Sequence, residues 1–175
     1  YMEMTKSWGK WFYLRSYLQV FLLQGFFMLL ISMPAIVVSS YVKGLTNIQI
    51  YTVPYFLYLG MLVWLIGFFF ESIGDFQLSM FLANPKNKGK IMTSGLWRYT
   101  RHPNYFGEVT QWYGLFFIVV GVPFWYYAAL SPLVISWLIL WVSGIPMTEK
   151  PFLSNPEFRK YKKVTSAFFP WFPRK

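Results

Sequence analysis

The sequence predicts an all-α fold, a polytopic bundle of about four transmembrane helices, and three observations predict it. Apolar residues make up 56% of the chain and charged residues only 13%, whereas soluble domains carry roughly 25% charged residues. Aromatic residues reach 23%, with 19 Phe, 13 Tyr and 9 Trp, as suits a protein with two lipid–water interfaces where amphipathic rings collect. Mean hydropathy is +0.40. The third observation is the placement of charge, which falls between and after long apolar stretches.

Each expected span is near the roughly 20 residues that a helix needs to cross a bilayer. The first runs over residues 18–38, with Gln24 inside it and Pro34 near its far end, where a kink is tolerable. The second covers 55–74, the third 105–122 and the fourth 124–145. Gly121-Val122-Pro123 supplies the turn of a helical hairpin between the last two. With the start of the chain on the cytoplasmic side, the 39–54 loop lies outside, and the 75–104 loop and the tail lie inside. Fifteen of the sixteen Lys and Arg residues then face the cytoplasm, as the positive-inside rule requires. The tail at 156–161 reads as a short amphipathic helix. It precedes Phe168-Phe169-Pro170-Trp171-Phe172-Pro173, an aromatic segment suited to the interface.

The length allows one membrane-embedded domain over 1–175. A start at Tyr1 marks a processed chain or a fragment, and a fragment lacking N-terminal spans is expected. The net charge of +10 follows membrane topology, so nucleic acid is not expected as a partner. With no Cys and one His, neither a disulfide framework nor a metal site is expected. Nothing at the start resembles a cleavable signal. The sequence is silent on oligomeric state.

Chemistry is expected where polar residues enter the spans. Of six carboxylates, Glu71, Asp75 and Glu108 lie in or at the edge of spans, where a charge usually faces a polar cavity or a partner. Glu71 and Asp75 are four apart and share a helix face. Glu108 lies one turn from Asn104, and Trp112 continues that side. A polar pocket opening to the cytoplasm between the second and third spans follows, with simple pairing of these acids to the nearby bases as the alternative. At Arg101-His102-Pro103-Asn104-Tyr105, Pro103 suits a first helical turn. The free N–H groups there, with Arg98 and Arg101, favour an anionic ligand such as phosphate. His102 is able to donate to it or to shuttle a proton. Alternatively the run is only a basic anchor at the membrane edge. Tyr161, Lys162, Lys163 and Thr165 in the tail either close over a phosphorylated cofactor or form a polybasic segment drawn to anionic lipid.

The run Gly95-Leu96-Trp97-Arg98-Tyr99-Thr100-Arg101-His102-Pro103-Asn104-Tyr105-Phe106-Gly107-Glu108 resembles the signature of the steroid 5-alpha-reductase C-terminal domain superfamily, in its bacterial-type branch of uncharacterised membrane proteins. The likeness continues through Glu71–Leu78, Asn87–Lys90 and Tyr161–Trp171, and includes Trp8-Gly9-Lys10 and Phe21–Gly25. It implies a helical membrane enzyme that uses NADPH to reduce an activated C=C bond in a steroid or other lipid-like substrate. By motif position it places Glu71 and Asp75 near the cofactor, and Asn104, Tyr105, Glu108 and Trp112 at its nicotinamide end. Tyr161 matches a tail tyrosine that closes on the cofactor, and Tyr105 or Glu108 becomes the acid that activates the substrate. Glu71 replaces an amide of that pattern and Leu82 an Arg. Arg-His-Pro-X-Tyr-X-Gly also resembles the isoprenylcysteine carboxyl methyltransferases, which bind S-adenosylmethionine. Those carry paired glutamates after the last span, where this chain has Glu149-Lys150. A non-catalytic lipid-binding membrane protein is the third expectation.

Overall fold

The computed structural model describes residues 9–43 and 54–174. Trp8 and positions 44–53 of the expected outer loop lie outside the described residues. Within them every regular element is helical, and the chain is an all-α membrane protein. Three stretches are long and apolar enough to cross a bilayer: Phe12–Ile31, Tyr55–Ala83 and Trp125–Phe152.

Helix α1, Phe12–Ile31, includes a π-helical segment over Ser16–Leu22 and starts earlier than the expected 18. It ends at Ser32, whose hydroxyl and backbone N–H both donate to the Met28 carbonyl at 2.7 and 2.9 Å. Helix α2, Met33–Lys43, follows at once. The break comes two residues before Pro34, which has no N–H to give and whose ring crowds the carbonyl four residues back. The expected first span is therefore two helices.

Helix α3, Pro54–Ala83, has 30 residues. At 1.5 Å per residue it is about 45 Å long, more than the roughly 30 Å of hydrocarbon. Its final turns, which carry Asp75 and Gln77, therefore extend past the expected 55–74. Helix α4, Pro103–Ile118, has only 16 residues, about 24 Å, and falls short of the expected 105–122. The chain turns at 119–124 instead, with Gly121 at φ 98° and Phe124 at φ 64°. The expected hairpin turn is thus present but begins sooner. After it, Trp125–Phe152 forms a nearly continuous helical stretch containing α5, Leu130–Trp137, and α6, Ile145–Glu149. The expected amphipathic tail is α7, Pro156–Val164, capped by the Asn155 side chain accepting from the Glu157 and Phe158 amides.

The molecule is organised around the antiparallel pair α3 and α4. Gly60 and Gly67 on one helix, and Gly107 and Gly114 on the other, recur every seventh residue and so form one stripe on each. A Cβ placed on Gly67 would lie 2.6 Å from the Gly107 carbonyl oxygen, and one on Gly60 would lie 2.6 Å from that of Gly114. The backbones are in contact, the arrangement that small residues permit between membrane helices. The opposite side of α4 packs Tyr105, Val109 and Trp112 with Ile135 and Ile139, and α1 adds Ile31.

Candidate functional site

The segment between α3 and α4 is anchored before it enters the site. Gln77 accepts from the Leu96 amide at 2.9 Å, and the indole of Trp97 donates to the Gly74 carbonyl at 3.0 Å. Thr100 is fully buried and donates to the Phe168 carbonyl at 2.8 Å. The Arg101 amide donates to the Ser166 carbonyl at 2.9 Å, and that of Trp171 to the Tyr99 carbonyl at 2.9 Å. The aromatic tail is thereby laid along the segment, with Phe168 and Phe169 edge-on to Phe106.

At the start of α4 the charged groups converge on Glu149. Its Oε1 accepts from Arg101 Nε at 2.8 Å and lies 3.1 Å from His102 Nε2; its Oε2 accepts from Lys162 Nζ at 3.0 Å. The Glu149 and Arg101 side chains are only 6% and 7% exposed. A second part of the guanidinium donates to the carbonyls of Thr165 at 2.5 Å and Lys162 at 3.3 Å, stabilising the C-terminal end of α7 with a positive charge. His102 stacks on Tyr105, with ring centroids 5.2 Å apart. Pro103 opens the helix as expected.

This cluster forms part of the wall of a cavity of about 300 Å³, lined by Lys90, Arg101, His102, Glu149, Asn104, Tyr105 and Tyr161 among others. Asn104 Oδ1 is buried there without a hydrogen-bond partner, which calls for one. Tyr161 donates its hydroxyl to the Trp97 carbonyl, and burial raises its phenol above the ordinary value. It is a neutral donor committed to the wall.

From Asn104 the same face of α4 leads to Glu108 and Trp112. Glu71 and Asp75 run along the facing side of α3, where Glu71 accepts from the Gln111 side chain. None of these three acids has a cation within 4.0 Å among the described residues. The remaining expected residues lie apart. Arg98 and Thr165 line a separate open depression, and Lys163 is exposed. Trp112 packs in the apolar core beside Val109. A larger cavity of about 700 Å³ at the far end of the bundle, between Val37, Phe124 and Tyr127, has no Asp, Glu, Lys, Arg or His among its described lining residues.

Glu149 is the site residue that was not among the expected ones. Its sequence signal was its place where the resembling methyltransferases carry paired glutamates, at the end of an apolar run beside Lys150.

A family match covers residues 1–165 and is described as protein of unknown function, DUF1295. The chain belongs to the DUF1295 family. This DUF1295 chain is also 39% identical over 46 residues to the probable O-methyltransferase ustE of Ustilaginoidea virens. That match spans 26% of the chain and 16% of the relative's length. No solved structure matches it.

Proposed function

We propose that this DUF1295 protein is a membrane enzyme that holds S-adenosylmethionine in the cavity at the start of α4 and methylates a lipid-like substrate. The carrying observation is a group of unpaired acids next to the cavity. Glu71, Asp75 and Glu108 lie close together on the facing sides of α3 and α4, beyond the cavity's Asn104, without basic partners among the described residues, while Arg101 in the cavity wall and Lys162 are engaged by Glu149. Unpaired carboxylates attract a cationic sulfonium and ammonium and repel the phosphates of a dinucleotide. The cavity volume, at the lower end of the usual 300–1,000 Å³ for ligand pockets, also suits the smaller cofactor. The short match to a probable O-methyltransferase points the same way.

In this reading Asn104 Oδ1 accepts from the cofactor, meeting its unfilled demand. His102 and Tyr105 form an aromatic wall, and Tyr161 closes the cavity from the tail. When bound, S-adenosylmethionine supplies an electrophilic methyl carbon. Glu108 takes the proton that the substrate's nucleophile gives up. The basic end faces the cytoplasm, and the substrate enters from the bilayer.

The second reading, NADPH-dependent reduction of an activated C=C bond, has a specific observation behind it. Tyr105, a phenol able to donate to a carbonyl, faces the cavity within the run that resembles the steroid 5-alpha-reductase signature. One assay separates them. Purified protein is incubated with a lipid extract and either methyl-labelled S-adenosylmethionine or NADPH. Label in the lipid fraction, lost in Glu108→Gln, is expected; NADPH oxidation with no methyl transfer would overturn the methyltransferase reading.

A further inference from the structure

The open depression next to the cavity carries an inference that does not depend on the proposed activity. It has a volume of about 530 Å³ and lies between the loop after α3 and helix α7, lined by Arg98, Lys160, Thr93, Thr165 and Pro173 among others. Glu157 also lines it, yet neither Arg98 nor Lys160 has an ion-pair partner among the described residues. These two cations differ in this from Arg101 and Lys162, which Glu149 holds. Next to Pro173 the chain presents Trp171 and Phe172 at 72% and 75% exposure, and Phe172 meets Tyr99 edge-on. Large exposed rings of this kind sit at the headgroup level of a bilayer.

We propose that this depression is a binding site for the phosphate headgroup of an anionic phospholipid. Arg98 and Lys160 engage the phosphate, the Thr93 and Thr165 hydroxyls line its floor, and Trp171 and Phe172 lie against the glycerol and upper acyl region. Unpaired cations alone would suit any phosphate; the adjoining aromatic wedge is what selects a lipid. A guanidinium gives planar, two-point recognition of phosphate oxygens, and the ammonium adds a point charge.

The test is native mass spectrometry of the full chain in detergent, titrated with phosphatidylglycerol and, separately, with phosphatidylcholine. Retention of phosphatidylglycerol over phosphatidylcholine is expected, with a loss of tenfold or more in that preference in the Arg98→Gln, Lys160→Gln double variant. Lys86→Gln, Lys88→Gln removes the same charge elsewhere and is expected to keep the preference, as is the conservative Lys160→Arg. Trp171→Ala, Phe172→Ala is expected to weaken both lipids. Equal preference in wild type and the Arg98/Lys160 variant would overturn the site. Displacement of the lipid by inorganic phosphate or by NADPH at equal concentration would overturn the lipid assignment. Failure of the methyl-transfer assay leaves this result untouched, so the two proposals fail separately.

Discussion

Removing the Glu149 carboxylate would leave Arg101, 6% exposed, without its anion, and an uncompensated buried charge is costly. Glu149→Ala is therefore expected to destabilise the protein by about 3 kcal/mol, read as a lower melting temperature in detergent. Lys162→Ala, at a half-exposed position, is expected to cost less than 1 kcal/mol. Tyr161 gives a pH prediction. Its phenol is held neutral in the folded state by burial, so its contribution is intact below the ordinary tyrosine pKa of about 10. Above that the unfolded chain loses the proton while the folded chain keeps it, and stability falls as pH rises. Tyr161→Phe is expected to flatten that alkaline loss, at the cost of about 1 kcal/mol near neutrality for the lost hydrogen bond. The Arg101 to Asn104 run was legible as a polar helix start because it breaks an apolar pattern locally. The Arg101–Glu149 pair was not, because 48 residues separate them and only the fold brings them together.

At the scale of elements, the α3–α4 seam makes a sharper demand than hydropathy. Gly67→Leu forces a side chain into space held by the Gly107 carbonyl and the Gln111 amide, 2.6 and 2.7 Å from its Cβ. The helices must part, with an expected loss of about 3 kcal/mol. Gly25→Ala, with nothing within 4 Å, is expected to be neutral or to stabilise by up to about 1 kcal/mol. Denaturant titration of both variants separates close packing from helix propensity. The seven-residue glycine spacing stands in the sequence, but a hydropathy window averages over it. The same averaging hides the short α4: residues 105–122 are apolar almost throughout, and the turn at Val119 depends on backbone angles at Gly121 and Phe124. Proline carried more information, since Pro34 and Pro103 both mark helix boundaries where steric rules place them.

For the whole molecule, the Glu149 cluster and the unpaired acids Glu71, Asp75 and Glu108 are two separate groups of charge. Placement of Lys and Arg made the number of membrane-crossing stretches and the all-α class legible to within one helix, because lipid leaves few ways to satisfy a backbone. The cofactor was less legible. The expected residues include both the unpaired acids and bases of the Glu149 cluster, and only the fold shows that Arg101 and His102 share one carboxylate with Lys162. The proposed preference for S-adenosylmethionine over NADPH rests on the unpaired acids. It also predicts discrimination between two ligands of nearly the same shape, because S-adenosylhomocysteine lacks the sulfonium charge. The direct measurement is calorimetric affinity for both, in wild type and in Glu108→Gln. Binding of S-adenosylmethionine at least about tenfold tighter than S-adenosylhomocysteine, a difference of about 1.4 kcal/mol that shrinks in Glu108→Gln, is the predicted result. Equal affinities in wild type, or binding of NADPH alone, would contradict it.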